Sequence, residues 1–309
     1  MNISGYFLFP GQGAQVVGMA KDCFDTGGYA KSLFEEASDV LGFSLEKLVF
    51  AGDEAELAKT ENCQPALLVA SLAYFETLRE RCNVEVTGAS GHSLGEYTAL
   101  VALGALDFAA AVKLVRLRGE LMEKAAAGKG GMTAIIGLAD ETVEQICADA
   151  GDAGVIVAAN YNCPKQLVVS GEIAALEKAE TLAKKAGAKI VTRLKVGGAF
   201  HSPLMEAARA SLADALRETQ VCEIGKKFIN NADAKILREP ESLRESLARQ
   251  LVSPVRWTAS MQLASSTGDK FFYECGPGKV CQGLMKRIDA TCDITSVNSM
   301  AAIEDIEQQ

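Results

Sequence analysis

A serine lies between two glycines in the stretch Ser-Gly-His-Ser-Leu-Gly-Glu-Tyr, residues 90–97. The stretch matches the pattern G-x-S-x-G, in which a sharp turn between a strand and a helix exposes the hydroxyl of the central residue, here Ser93. That turn needs residues without side-chain bulk two positions before and two positions after the serine, and Gly91 and Gly95 meet this need. Free N–H groups at the start of the following helix can stabilise a negatively charged oxygen that forms next to the serine. The pattern predicts a nucleophilic serine.

A nucleophilic serine needs a general base, and the 309 residues include only two histidines. His92 is adjacent to Ser93, but consecutive side chains in so sharp a turn point in different directions. His201 lies in the glycine-flanked loop Gly-Gly-Ala-Phe-His-Ser-Pro-Leu-Met, residues 197–205, and a loop can reach across a fold. We therefore favour His201 as the base.

A second glycine loop, Pro-Gly-Gln-Gly-Ala-Gln at residues 10–15, directly follows the first predicted strand. Loops at the carboxyl ends of parallel strands gather at the active site of an α/β protein. An N–H group of this loop and the N–H of Leu94 would together form a two-donor oxyanion hole.

An arginine lies on the apolar face of the predicted helix 107–127. Arg118 falls near the centre of the apolar stripe, whereas the charged residues of this helix fill the opposite face. A buried guanidinium needs an anionic partner, because an unpaired buried charge is very costly. Two readings stay open: a buried ion pair with an Asp or Glu, or a cleft-facing arginine that binds the carboxylate of a ligand.

The alternation of strands and helices predicts an α/β protein with a parallel sheet covered on both faces. The first 127 residues contain predicted strands 5–9 and 85–90 and predicted helices 65–81, 94–103 and 107–127. A glycine-rich stretch at 125–133 is predicted to be a linker. It is followed by predicted strand 132–137, helix 140–150, strands 155–159 and 166–170, helix 172–187 and strand 189–195. Further strands are predicted near 228–230 and 270–274.

The order strand-helix-strand-strand-helix-strand is that of a small ferredoxin-like unit. We expect residues 1–128 and 197–309 to form one large α/β domain, and residues 129–196 to form a small α+β subdomain inserted into it.

The composition excludes several classes of function. A net charge of −9 argues against nucleic acid or an anionic membrane as the main partner. The nine cysteines are scattered singly and two histidines are too few for a typical metal site, so no metal is expected. No apolar run is long enough to span a membrane and the N-terminus lacks signal-peptide features, so a cytoplasmic location is expected.

Taken together, the motifs resemble the malonyl-CoA:acyl-carrier-protein transacylases, the acyltransferases of fatty-acid synthesis. The resemblance runs in order through PGQGAQ, TENCQPALLVAS, GHSLGEY, RLRGELM, GGAFHSPLM, SPVRW and ECGPGKV, and so covers nearly the whole chain. It implies an α/β-hydrolase-like core with an inserted ferredoxin-like subdomain.

The resemblance also implies a role for each matching residue. Ser93 would be the nucleophile and His201 the base, and Gln12 and Leu94 would supply the oxyanion-hole N–H groups. Gln250 would orient His201 through its backbone carbonyl, so that a Ser-His pair replaces a triad with an acid.

Three residues are implied to contact the acyl group or to lie near it. Arg118 would bind the free carboxylate of the substrate, and Phe200 resembles the malonyl-type sequence of the family. Met122, one helical turn from Arg118, would line the pocket or belong to the core. His92 would be a structural member of the turn.

The implied reaction is ping-pong transfer of a malonyl group from malonyl-CoA to the phosphopantetheine thiol of acyl carrier protein, through a malonyl-serine and without a cofactor. The alternatives are a serine hydrolase, a trans-acting polyketide acyltransferase with another dicarboxylic extender unit, and a non-catalytic scaffold. The sequence leaves open whether the pathway makes fatty acids or polyketides. We expect a monomer.

Acyl carrier proteins are acidic, so docking of a carrier requires a basic patch on the surface of this negatively charged protein. The stretch 184–195 has five basic residues and no acid. It is either an ordinary solvated surface or a docking patch. The expected docking residues are Lys184, Lys185, Lys189, Arg193, Lys286 and Arg287.

Overall fold

The structure is a computed structural model that describes residues 2–126, 128 and 130–308. The first part of the chain forms β1 (Asn2–Phe9), α1 (Lys21–Asp25), α2 (Gly28–Leu41), α3 (Leu45–Ala51), α4 (Glu54–Ala58), α5 (Thr60–Arg81), β2 (Asn83–Gly91), α6 (Gly95–Ala102) and α7 (Phe108–Ala126). The middle part forms β3 (Gly130–Ile136), α8 (Asp140–Ala150), β4 (Ile156–Cys163), β5 (Gln166–Glu172), α9 (Ile173–Lys185) and β6 (Ile190–Arg193). The last part forms α10 (Glu206–Glu218), β7 (Lys227–Ile229), β8 (Ile236–Leu237), α11 (Pro240–Gln250), α12 (Trp257–Ser266), β9 (Phe271–Cys275), α13 (Val280–Ile288), β10 (Asp293–Val297) and α14 (Met300–Glu307).

The larger sheet has the strand order β10-β9-β1-β2-β7-β8. Its first five strands are parallel, and β8 pairs with β7 in the antiparallel direction. Successive residues of β1 enter different cores: Phe7 and Phe9 pack into one cluster, and Tyr6 and Leu8 pack into another. All four are fully buried, as expected for a parallel strand covered on both faces. The predicted α/β class is confirmed.

The second sheet is antiparallel, with the strand order β4-β5-β3-β6. Helices α8 and α9 cover one of its faces and enclose a small core of their own. Met132 and Val168, from the other face, join the large core. This face points toward the larger sheet and contributes one wall of the cavity described below.

Helices α5 and α7 cross closely, and this crossing positions Arg118. A Cβ atom on Gly119 would lie 2.5 Å from Cα of Glu61, so only glycine permits the approach. Pro65 lies inside α5 and cannot donate an N–H to the carbonyl of Glu61. Nη1 of Arg116, on α7, donates to that carbonyl at 3.2 Å instead. The predicted helix 65–81 therefore begins five residues earlier, at Thr60, with the proline inside it.

The predicted linker at 125–133 is too wide. Helix α7 continues to Ala126, and β3 begins at Gly130. Residues 130–133 of the predicted linker pair with 169–172 of β5 in regular register, so Gly130 and Gly131 belong to a strand. Residues 127 and 129 lie outside the described part of the chain. Across the described residues, no helix combines the length and hydropathy required to cross a bilayer.

Candidate active site

The turn between β2 and α6 holds Ser93 in a left-handed conformation, with φ of 51°. A Cβ on Gly91 would lie 1.7 Å from the backbone carbon of Gly95, and a Cβ on Gly95 would lie 2.3 Å from the carbonyl oxygen of Phe9. Both glycines are thus required by close backbone approach, on the two sides of the serine. The turn presents the Ser93 hydroxyl at the carboxyl edge of the larger sheet.

His201 lies beside Ser93, although 108 positions separate them in sequence. Its Nε2 is 2.7 Å from Ser93 Oγ, and its Nδ1 is 2.9 Å from the backbone carbonyl oxygen of Gln250. A carbonyl only accepts, so Nδ1 carries the proton and donates, which leaves Nε2 of the neutral ring free to accept the serine proton. His201 also has a left-handed backbone, with φ of 56°. Backbone strain of this kind at two neighbouring polar residues is typical of functional sites.

The imidazole of His201 is neutral in the free protein. Burial and then the positive charge of Arg118 lower the pKa of His201 to about 3. The neutral form is the one that can take a proton from Ser93.

The backbone around Ser93 determines which N–H groups can stabilise an oxyanion. The N–H of Ser93 donates to Oδ1 of Asn231 at 2.7 Å and is therefore occupied. The N–H groups of Leu94 and Gln12 have no hydrogen-bond acceptor among the described residues, and both residues line the cavity. Both N–H groups are therefore free to donate to a ligand in the cavity.

Arg118 is almost fully buried, with 1% of its surface exposed, and lies next to Ser93. Its Nη1 donates to Oε1 of Gln64 at 2.7 Å, and its Nη2 donates to Oε1 of Gln250 at 2.9 Å and to Ser93 Oγ at 3.1 Å. The Nε–H has no partner, and no carboxylate of the described chain pairs with this guanidinium. The alternative of a buried ion pair is therefore wrong for Arg118. A buried, incompletely satisfied guanidinium beside a nucleophile is suited to a ligand carboxylate.

The cavity at this site has a volume of about 240 Å³. Seven of the eight expected site residues line it: Gln12, Ser93, Leu94, Arg118, Met122, Phe200 and His201. The eighth, Gln250, is fully buried behind Ser93. The sulfur of Met122 accepts from Nε2 of Gln64 at 3.3 Å, so this methionine lines the cavity and also packs against the residue that holds Arg118.

His92 points away from the reacting atoms. Its Nε2 is 2.9 Å from Oδ1 of Asn162 in β4, and its ring lies against Trp257 with centroids 5.4 Å apart. Burial lowers the pKa of His92, so this ring is also neutral. It connects the serine turn to the antiparallel sheet.

Sequence reasoning assigned no role to three residues that complete the site. Gln64 and Glu96 lie within motifs quoted above, and Asn231 follows β7 at the carboxyl edge of the larger sheet. All three are fully buried polar residues. The rule that loops at this edge form the active site could have found Asn231. No sequence pattern, however, indicates which buried polar groups hydrogen-bond to one another.

Comparisons with known proteins agree with this geometry. The family model described as "Acyl transferase domain" matches residues 6–300. The chain belongs to the acyl transferase family. The "Malonyl CoA-acyl carrier protein transacylase" of Bacillus subtilis (strain 168) is 42% identical to this acyltransferase over 96% of the chain and 94% of the relative. The expected family membership is confirmed.

Two solved structures superpose on this acyltransferase along almost all of its length. The acyl-carrier-protein S-malonyltransferase of Burkholderia pseudomallei 1710b has a TM-score of 0.96 and 40% identity, and the match covers 99% of this chain and 100% of that one. A malonyl-transacylase in complex with a type II polyketide acyl carrier protein also has a TM-score of 0.96, at 39% identity, and the match covers 99% of each chain.

Proposed function

We propose that this acyltransferase moves the malonyl group of malonyl-CoA to the phosphopantetheine thiol of acyl carrier protein, through an ester on Ser93. The observation that carries the proposal is the guanidinium of Arg118, buried 3.1 Å from Ser93 Oγ and without a carboxylate partner in the described chain. A malonyl group on that oxygen carries a free carboxylate of the charge and shape that this guanidinium binds. The names of the relatives support the same reaction.

In the first half-reaction, Nε2 of His201 takes the Ser93 proton as Oγ attacks the thioester carbonyl. The N–H groups of Gln12 and Leu94 stabilise the oxyanion, and losing one such donor typically costs about 10²–10³ in rate. The C–S bond then breaks, and His201 gives its proton to the leaving CoA sulfur.

The second half-reaction runs the same steps in reverse with a new thiol. His201 takes the proton of the carrier's phosphopantetheine thiol, the sulfur attacks the malonyl-serine carbonyl, and the proton returns to Ser93 Oγ as the ester breaks. The hydroxyl, the imidazole and the backbone N–H groups supply every step, and we propose that no cofactor takes part.

Selectivity for a dicarboxylic acyl group follows from the cost of an unpaired buried guanidinium. An acetyl group offers Arg118 no carboxylate, whereas hydrogen bonds to charged groups contribute about 1.5–3 kcal/mol. Malonyl-CoA should therefore be preferred over acetyl-CoA by at least about ten- to a hundredfold. The substrate carboxylate also offsets the Arg118 charge, one of the causes that lower the pKa of His201.

A basic surface near the cavity mouth is the proposed docking site for the acidic carrier. Gln166, which lines the cavity, accepts from Nη1 of Arg287 at 2.8 Å. Ile136 pairs with both Gln166 and Ile190 across the small sheet. With strands about 4.8 Å apart, the exposed Lys189 is therefore about 10 Å from the cavity wall. Lys189, Lys286 and Arg287 are the stronger candidates.

The remaining expected docking residues are less well suited. Nε of Arg193 lies 2.7 Å from a carboxylate oxygen of Glu180, so its charge is already paired. Lys184 and Lys185 lie at the end of α9, which covers the opposite face of the small sheet.

We also propose that the enzyme is monomeric and cytoplasmic. Its nine cysteines are all free thiols, as expected for a protein in a reducing compartment.

The test is incubation with malonyl-CoA followed by mass spectrometry of the intact protein and assay of transfer to phosphopantetheinylated carrier protein. A malonyl adduct on Ser93 that the carrier discharges is the expected result, and Arg118→Ala should reduce the preference for malonyl-CoA over acetyl-CoA by at least about tenfold. Dominant release of free malonate instead of transfer would identify a hydrolase. A malonyl preference unchanged in Arg118→Ala would refute the assigned role of the arginine.

A further inference from the structure

A glutamate lies behind the serine turn, outside the reaction described above. Glu96, on the first turn of α6, is fully buried. One of its carboxyl oxygens accepts from the backbone N–H of Asn231, and the other accepts from Nε2 of Gln250. A buried carboxyl group is costly unless its oxygens are hydrogen-bonded. Both oxygens of Glu96 have donors from other parts of the chain, so its contacts join α6 to the loop after β7 and to the end of α11.

The contact with Gln250 determines which way its side-chain amide faces. Nε2 of Gln250 donates to Glu96 and also to the backbone carbonyl of Ser93 at 2.9 Å. With the amide nitrogen held by two acceptors, the amide oxygen faces Nη2 of Arg118, from which it accepts at 2.9 Å. A flipped amide would place N–H donors opposite the N–H donors of Arg118. Glu96 and the Ser93 carbonyl together therefore keep Gln250 in the orientation in which its oxygen accepts from Arg118.

The contact with Asn231 reaches the other side of the serine turn. With its backbone N–H bound to Glu96, the Asn231 side chain accepts from the N–H of Ser93 at 2.7 Å and donates to the carbonyl of Gly91 at 2.8 Å. Glu96 therefore contacts both the residue that braces the turn and the residue that holds the arginine.

We propose that Glu96 is a positioning residue for acyl selectivity: it orients the Gln250 amide so that Arg118 is held facing the carboxylate of the acyl group. This inference rests on the proposed malonyl transfer. It assigns to Glu96 an effect on the choice of acyl group that exceeds its effect on the reactivity of Ser93, because His201 is held by the backbone of Gln250 and not by its side chain.

Glu96→Gln is the substitution that tests this orientation. The new amide keeps the shape of the glutamate, but it has one acceptor oxygen where the carboxylate has two. If that oxygen accepts from the immobile backbone N–H of Asn231, the new NH₂ group faces Nε2 of Gln250. Gln250 then flips to accept from it, and Arg118 loses its acceptor. Because burial raises the pKa of Glu96 to about 8, activities are compared at about pH 8.5, where the wild-type carboxyl is mainly ionised.

Two activities are measured on each variant. The ratio of kcat/KM for malonyl-CoA to kcat/KM for acetyl-CoA reports how well Arg118 binds the acyl carboxylate. The rate of Ser93 labelling by a neutral fluorophosphonate reports the reactivity of the Ser-His pair alone. In Glu96→Gln the ratio should fall by about tenfold, as for a lost hydrogen bond to a charged group, while labelling changes by less than about threefold. Glu274→Gln is the matched control, because Glu274 is also fully buried with two N–H donors and lies outside the described site. Its ratio should not change.

A second variant covers the case in which Glu96→Gln does not fold. Gln250→Leu removes the amide but keeps the backbone carbonyl that holds His201, so it should reduce the ratio as Glu96→Gln does, and the two changes together should be less than additive. An unchanged ratio in either variant overturns the proposal. So does an equal loss of both transfer activities and of labelling, since Glu96 would then act only on the turn. A wild-type protein that forms no malonyl-serine would refute the proposed function instead, independently of Glu96.

Discussion

His92 and His201 are the only histidines of this chain. His201 is buried and His92 is half-buried, and loss of solvation lowers the pKa of both, so both rings are neutral. Their different neighbours separate their roles. His201 contacts the nucleophile on one side and a backbone carbonyl on the other. His92, adjacent to the nucleophile in sequence, hydrogen-bonds Asn162 on the second sheet. At the residue scale, distance along the chain is a poor guide to which side chain can take a proton.

Substitution of the two histidines should separate these roles. We expect His201→Ala to abolish transfer, because no other base lies within reach of Ser93 Oγ among the described residues. We expect His92→Ala to keep measurable transfer but to unfold at a lower temperature, since it leaves Asn162 unpaired and a gap against Trp257. Transfer assays and thermal denaturation of both variants check this. Equal loss of transfer in the two would contradict the assignment.

The neutral state of His201 predicts a pH dependence of stability. An unfolded histidine takes up a proton near pH 6.5, whereas folded His201 does so only near pH 3, so stability is lost as the pH falls below 6.5. The slope from one such histidine is about 1.4 kcal/mol per pH unit at most.

Denaturant titrations of wild type and His201→Gln at several pH values between 5 and 7 isolate this contribution, because all other groups are shared. The variant should lose less stability on acidification than wild type. Parallel curves would show that His201 titrates normally in the folded protein.

At this scale the sequence indicates the candidate nucleophile, base and buried arginine, but misses three of the residues that hold them in place. Ser93, His201 and Arg118 could be found because a nucleophile, a base and a misplaced charge are recognised by residue type and local pattern. Gln64, Glu96 and Asn231 could not, since a buried amide or carboxyl group has no spacing rule and its partners come from distant segments.

The turn between β2 and α6 is the element whose geometry is least tolerant of change. A Cβ on Gly91 would lie 1.7 Å from a backbone carbon of Gly95, and a backbone atom cannot move aside as a flexible side chain could. Gly91→Ala should therefore destabilise the protein by more than about 3 kcal/mol and abolish transfer. Gly225→Ala is the matched control, because nothing lies within 4 Å of its added Cβ. Its stability should change by less than about 1 kcal/mol. Similar unfolding free energies for the two variants would contradict the prediction.

The elements of the small sheet were better predicted than those of the rest. Its six strands and helices are regular and amphipathic, and α8 has the predicted bounds, Asp140–Ala150. The predictions omitted α1 to α4. Helices α1 and α4 have only five residues each and present too few turns for an apolar period. Helix α2 has fourteen residues and buries Ala30, Phe34 and Ala37 on one face, so its pattern was missed although it is present in the sequence. Pro65 also obscured the start of α5 in the sequence. The Glu61 carbonyl, which the proline cannot bond, accepts instead from Arg116 of α7.

At the scale of the whole molecule, the active site lies between the two sheets. Backbone hydrogen bonds join β4 of the small sheet to the loop between α11 and α12: the N–H of Tyr161 donates to the carbonyl of Val255 at 2.9 Å, and the N–H of Val255 donates to the carbonyl of Ala159 at 2.8 Å. The division into residues 1–128 and 197–309 around an inserted 129–196 remains a prediction. A sequence alone cannot indicate how closely two such units pack, because the contacts between them join residues that are far apart along the chain, as Tyr161 and Val255 are.

The proposed docking surface predicts an effect on one substrate only. Lys189→Glu combined with Lys286→Glu should raise the KM for carrier protein by about three- to tenfold and leave the KM for malonyl-CoA unchanged, with the difference shrinking at high salt. Lys226→Glu is the control, because this exposed lysine precedes β7 at the amino edge of the larger sheet, opposite the active site. Steady-state kinetics with each substrate varied in turn check this. Equal changes in both KM values would place the carrier elsewhere.

The hydrogen bond between His201 Nδ1 and the backbone carbonyl of Gln250 has a consequence for how this enzyme can diverge. Any amino acid at position 250 supplies that carbonyl, so the base keeps its tautomer and orientation whatever the side chain becomes. The side chain of the same residue faces Arg118. Substitution at position 250 can therefore change which acyl groups are accepted while the hydrogen bond that orients His201 is kept. This makes position 250 a good starting point for directed evolution of the substrate range.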